Sequence, residues 1–255
     1  TGASMLSKKS LPSVWKGLFV LWFSGLLSSC AVFDLSYHLK GYTVLGETHQ
    51  FERDVSGQRE KIDYDLLIYK REVPDETFPL MVALHGARGS GMDYMASWEE
   101  AAVNRRVMVL APTRPRAFHN RPEDLELLYA LTDEILEKYP IDRSKIYLAG
   151  VSSGALISRW MITDDPSRFK GVVFIAHNAV KESWPSRVQN LDALPPILYL
   201  QGKSDPQEKA EDTEREVEDL LSRGADVTLL EFDGGHEHKP EWTESIFDWI
   251  ESLGN

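Results

Sequence analysis

The apolar run Ile146-Tyr147-Leu148-Ala149 ends at Gly150-Val151-Ser152-Ser153-Gly154, and Ala155 to Ile162 then continue at helical spacing. A strand that becomes a helix through so few residues must turn sharply, and the turn lifts the serine hydroxyl clear of the sheet edge. The flanking glycines have a steric reason. The serine backbone is strained, and strand and helix approach too closely for side chains beside it. A G-x-S-x-G segment in this setting therefore predicts a parallel strand–turn–helix unit with Ser152 at its apex.

Two later segments supply what such a serine lacks. Ile197-Leu198-Tyr199-Leu200 reads as a buried strand, and the loop Gln201 to Pro206 after it carries Asp205. Val227 to Phe232 reads as the next strand and leads into Asp233-Gly234-Gly235-His236. A serine hydroxyl is a weak nucleophile at neutral pH and needs a base within hydrogen-bond reach. Histidine titrates in the right range, and a carboxylate holds the imidazole tautomer. Ser152 is thus the candidate nucleophile, His236 the general base and acid, and Asp205 the orienting carboxylate. Asp192 precedes its strand and Asp233 is only three residues from His236, so both are weaker candidates for the acid.

An acyl-transfer intermediate also needs donors for its oxyanion. The Ser153 amide follows the nucleophile directly. A second donor is expected from His85-Gly86-Ala87-Arg88-Gly89-Ser90-Gly91, the loop after the apolar run 80–84. Ala87 is the position expected for it, with Gly86 and Arg88 as alternatives. His85 is expected to brace this loop by a hydrogen bond.

On these residues the chain resembles the α/β-hydrolase superfamily. His85-Gly86-Ala87, Asp142 to Gly154 and Gly234-Gly235-His236 are similar to single-domain esterases related to polyhydroxybutyrate depolymerases, feruloyl esterases and the phospholipase/carboxylesterase group. The resemblance covers about residues 60–253. It implies a serine esterase with no cofactor and no metal, acting on a small-molecule or polymer ester. It departs from the commonest pattern at Ser153 and at Ala87-Arg88, positions that shape the acyl pocket.

The remaining pattern fits an α/β chain. Apolar runs at 80–84, 107–111, 146–149, 172–176, 197–200 and 227–232 alternate with helical segments. A mostly parallel twisted sheet with helices on both faces is expected. Ile62, Tyr64, Leu66 and Ile68 predict a half-exposed antiparallel strand at one edge. Leu125, Leu128, Leu131 and Ile135 mark one helix, Val217, Leu220 and Leu221 a second, and Trp242, Ile246, Trp249, Ile250 and Leu253 the last.

The N-terminal third divides differently. Met5 is read as the start, with Thr1 to Ser4 as an added remnant. Lys8, Lys9 and Lys16 precede the apolar stretch Leu18 to Leu27, a pattern expected of an export signal. Leu27-Ser28-Ser29-Cys30 resembles a bacterial lipobox and holds the chain's one cysteine. The expected organisation is a signal peptide with a lipobox-like end at 1–30, a tether and N-terminal edge at 31–60, and a hydrolase domain at 61–255. Cys30 is the expected lipidation site of an envelope lipoprotein held at a membrane through that lipid anchor. Ordinary secretion is the alternative.

A net charge of −12 argues against a nucleic-acid partner or an anionic membrane surface. His236-Glu237-His238 could suggest a metal, but H-x-H on a loop has no third ligand in view. His238 is expected at the surface. His85, Arg88, His177 and Trp184 are tentative substrate-pocket residues, and Arg114 and Arg116 are expected to be solvated. A peptidase on the same three residues, or a non-catalytic binding protein on a hydrolase scaffold, are the rival functions. A dienelactone-type enzyme would carry cysteine at the elbow. Residues 177–196 are too few for a multi-helix cap. Ester hydrolysis is therefore expected to rise smoothly through the solubility limit of an ester. A jump in rate at that limit would reveal a cap.

Overall fold

The computed structural model describes residues 35–39, 42–55, 57–70, 76–113, 122–177 and 191–254. In chain order its strands are β1 (Leu35–Leu39), β2 (Tyr42–Val55), β3 (Gln58–Lys70), β4 (Phe78–Leu84), β5 (Met108–Thr113), β6 (Ile141–Val151), β7 (Gly171–Ile175), β8 (Ile197–Gly202) and β9 (Val227–Phe232). The helices are α1 (Gly91–Met95), α2 (Glu99–Arg105), α3 (Pro122–Lys138), α4 (Ser153–Asp164), α5 (Ala210–Ser222) and α6 (Pro240–Ser252). The described strands form one sheet in the order β1-β2-β3-β5-β4-β6-β7-β8-β9. From β5 to β9 all pairs are parallel, and β1, β2, β3 and β5 pair antiparallel.

Burial explains the apolar runs. In β7 and β8 every residue is buried, and in β4 all but Pro79 are. Strands covered on both faces have no reason to alternate. Trp98, at the start of α2, packs edge-on against Phe247 of α6 at 6.0 Å between ring centroids. α4 lies against β6 and β7, and α5 against β8 and β9.

One expectation is corrected. β3 is not an edge strand, because β2 continues the sheet beyond it. Its half-exposed character holds only over its first residues, and Tyr64 to Tyr69 are buried throughout. Within the stretch read as tether and N-terminal edge, Leu35–Leu39 form β1 and Tyr42–Val55 form the long strand β2. β2 pairs with β3 from Thr43↔Lys70 to Val55↔Gln58. Cys30 and the export segment lie outside the described residues.

Leu148 lies in the centre of the sheet, fully buried and paired with Val82 and Val172. Leu148→Ala is expected to lower stability by about 2–5 kcal/mol through lost burial and the cavity left behind. Urea unfolding at constant pH would measure it, and a change below 1 kcal/mol, about the size of an exposed-site effect, would contradict the packing.

Candidate active site

Ser152 follows β6 directly and caps the start of α4, with φ 52° and ψ −118°. A positive φ is costly for a residue with a Cβ and persists only where surroundings enforce it. Here they do. A Cβ on Gly150 would lie 2.3 Å from the carbonyl carbon of Gly154, and one on Gly154 would lie 2.1 Å from the Leu84 carbonyl oxygen. Only glycine lets β6, α4 and the end of β4 meet at this distance. The Ser152 amide donates to Ile175 O at 2.9 Å, which ties the apex to β7.

The strands bring the other two residues to the apex. His236 Nε2 lies 2.8 Å from Ser152 Oγ, and His236 Nδ1 lies 2.8 Å from Asp205 Oδ2. Asp205 has a fully buried side chain, while that of His236 is 14% exposed. The free carboxylate oxygen, Asp205 Oδ1, accepts the amides of Gln207 and Glu208 at 2.8 and 2.9 Å. With both oxygens engaged, the carboxylate accepts a hydrogen bond from Nδ1–H, and Nε2 faces the serine as an acceptor. Asp233 is 95% exposed and faces Lys203, and Asp192 sits in a 3-10 turn before β8.

The acid and base loops also bind each other. Lys203 N donates to Phe232 O at 3.0 Å and Ser204 N to Gly234 O at 2.9 Å. A Cβ on Gly202 would lie 2.3 Å from Gly235 O, so this contact too requires glycine.

On the other flank the Gly86 Cβ direction points 3.5 Å from Ser152 Cβ. The Gly86 carbonyl accepts from His85 Nδ1 at 2.7 Å and from Gly89 N at 3.1 Å. Because a trans peptide sets N–H opposite to C=O, the Ala87 amide is turned away from His85 and Gly89. Ser153 is the first residue of α4, where helix amides lack internal acceptors. Arg88 has φ 65° and is exposed beside them. His85 is buried, and burial lowers its pKa, with the Gly86 carbonyl opposing that shift.

His177, after β7, is half-buried, and its Nε2 accepts from the buried guanidinium of Arg159. Trp184, Arg114 and Arg116 lie outside the described residues. A mostly apolar hollow of about 180 Å³ lies between β2–β3 and α1–α2, lined by Thr48, Asp65, Leu67, Met92, Met95 and Glu99 among others. It contains none of the residues around Ser152. Among the described residues no group of three His, Cys, Asp or Glu side chains is arranged to hold a metal ion.

His238 is the site residue that sequence reasoning misplaced. It is packed edge-on against Trp98 and Tyr94, at 4.9 and 5.6 Å between centroids, rather than solvated. Its charged neighbours Glu237 and Lys239 concealed this.

No protein-family model matches the chain. Many solved structures do share its architecture. A thermostable esterase aligns at TM-score 0.62 and 23% identity over 80% of this chain and 62% of its own. S-formylglutathione hydrolase from Staphylococcus aureus aligns at 0.64 and 14% over 82% of this chain and 99% of its own. A ferulic acid esterase aligns at 0.62 and 12% over 82% and 98%. The chain has the α/β-hydrolase fold. The chain spans under two thirds of the thermostable esterase's length.

Burial pushes the His238 pKa from 6.5 down to about 3. The unfolded chain takes up that proton near pH 6.5 and the folded chain refuses it until about pH 3. The contribution to stability is therefore complete above about pH 6.5 and is lost progressively as pH falls toward 3. Asp65 and Glu99, raised by burial, act with the opposite sign. Comparison with His238→Gln isolates the histidine. Between about pH 7.5 and about pH 5 the urea midpoint of the native protein is expected to fall further than that of the variant. Equal shifts would refute the buried neutral state.

Proposed function

We propose that the protein is a serine hydrolase that cleaves carboxylic esters through an acyl-enzyme. One observation carries the proposal, the continuous chain of 2.8 Å contacts from Ser152 Oγ through His236 to Asp205. The neighbours named as esterases and hydrolases support the same chemistry.

The steps follow from the geometry. Ser152 Oγ attacks the ester carbonyl as its proton passes to His236 Nε2. Asp205 stabilises the resulting imidazolium without taking the proton. The carbonyl oxygen becomes an oxyanion, and the amides of Ser153 and Ala87 are the proposed donors to it. Such a donor contributes about 2.7–4 kcal/mol to barrier lowering. The tetrahedral intermediate collapses, the ester C–O bond breaks, and His236 gives its proton to the leaving alkoxide. Water then attacks the acyl-enzyme with His236 again as base, which frees the carboxylic acid and restores Ser152.

A short or aromatic acyl ester is the proposed substrate class, with His85 bracing the donor loop and Arg88, His177 and Trp184 proposed near the acyl or leaving group. Export and lipidation at Cys30 belong to the same proposal and rest on the sequence pattern alone. They would place the enzyme at a bacterial envelope.

Fluorophosphonate should label the native protein, and Ser152→Ala should abolish the labelling. Asp205→Asn should lower kcat by about 10⁴-fold, since the amide favours the wrong imidazole tautomer. Paired ester and amide coumarin substrates separate an esterase from a peptidase. A folded native protein that resists the reagent would overturn the proposal in favour of a binding protein.

A further inference from the structure

The loop 233–239 has an uneven set of attachments. Toward β8 it is held by the acid loop, through the Phe232 and Gly234 carbonyls. Around Gly235 a Cβ would meet nothing within 4 Å. Two residues past His236, the chain is anchored a second time, on the opposite side.

The second anchor is a short hydrogen-bond relay. Thr243 Oγ1 donates to Ser97 O at 2.6 Å, which uses its only proton. His238 Nε2 lies 3.0 Å from the same oxygen, so the imidazole is the donor and the oxygen the acceptor. An Nε2–H donor is common to the neutral ring and its cation, and the burial that depresses the pKa selects the neutral ring, with Nδ1 unprotonated. Ser97 Oγ reaches back to His238 O at 3.5 Å. Trp98 and Thr243 are fully buried.

Ser97 and Trp98 belong to the stretch that begins immediately after the 85–90 loop. Ser90 caps α1 by accepting the Asp93 amide at 3.1 Å, and α2 follows at Glu99. The relay thus joins the loop of the base to the segment that directly follows the 85–90 loop, where the proposed oxyanion donor Ala87 lies.

Stability alone does not account for the ring. His238 Nδ1 is buried and has no hydrogen-bond partner among the described residues. A half-satisfied buried polar group costs free energy that an apolar side chain would not. What the imidazole adds is the directional bond from Nε2.

We propose that His238 is a positioning residue for His236, its Nε2–H bond to Thr243 fixing the base loop on the α1–α2 segment. The proposal rests on the serine-hydrolase reading. His236 must satisfy Ser152 and Asp205 with one ring at once, and two residues of chain span at most about 7 Å. A displacement of the loop at His238 therefore reaches the base. Misplacement by about 1 Å costs on the order of 100-fold in rate.

The test uses the full chain and the variants His238→Leu, His238→Gln and Thr243→Val. Two quantities are read: the rate of fluorophosphonate inactivation at Ser152, and the downfield proton resonance of His236 Nδ1–H against Asp205. His238→Leu and Thr243→Val should each slow inactivation, on the order of 100-fold for the leucine variant. With p-nitrophenyl acetate, kcat should fall while KM is little changed. Both variants should broaden the His236 resonance. His238→Gln, whose amide can donate to Thr243, should recover most of the rate. The double variant His238→Leu/Thr243→Val should be no slower than the slower single variant, since both remove one relay.

Folded variants that inactivate within about twofold of native, well inside the roughly 100-fold effect expected, would overturn the proposal. If His238→Leu does not fold, Thr243→Val and His238→Gln decide it, and a native rate in Thr243→Val overturns it. If the native protein is not labelled at all, the hydrolase reading fails. The resonance then still decides the positioning, which an unchanged signal in Thr243→Val would refute.

Discussion

The close meeting of β4, β6 and α4 at Ser152 is the constraint on which the rest depends. Gly150 and Gly154 have no room for a methyl group, and Ser152 holds a backbone conformation that an isolated chain would avoid. The atom that Gly154 approaches is the carbonyl of Leu84, the last residue of β4. The strand leading to the 85–90 loop and the turn bearing the serine are therefore one packed unit. Any shift of the serine relative to the donor loop would have to break the centre of the sheet.

Around that unit the loops divide the electrostatic work. Asp205 lies out of water, but its carboxylate receives two backbone amides and the imidazole N–H. Burial of a charge is tolerable when it is bonded this fully. His85 and His238 solve a different problem. Both sit in surroundings that disfavour a positive charge, and each uses one ring nitrogen as a fixed donor to hold a loop. His236 faces the hydroxyl.

The elements nearest the reacting atoms were the most legible in the sequence. β4, β5, β7, β8 and the second half of β6 read as apolar runs because both faces are covered, while β9 at the margin is only half-buried, and Ser152, Asp205 and His236 each follow one of these strands. β2 was illegible for the opposite reason. Gly46-Glu47-Thr48-His49-Gln50 and Glu52-Arg53-Asp54 look like a solvated linker, although their backbone is fully paired with β3. That pairing also moved β3 from the edge into the sheet, which no local pattern could reveal. α1 and α2 are short and follow a glycine-rich loop, so their periodicity is too brief to read. His238 was hidden because burial there is created by Tyr94 and Trp98, far away along the chain.

Among the described residues β9 pairs only with β8, so the strand leading to His236 forms a margin of the sheet. Its outer backbone groups are open to pairing with a foreign strand, the ordinary hazard of an edge. Here the hazard has a chemical side. A strand added along β9 would run past Phe232 and press on the loop that carries the imidazole. The exposed carboxylates of Glu231 and Asp233, at the end of that margin, put negative charge where an intruding strand would have to lie. Protection against aggregation and protection of the base thus fall to the same few side chains.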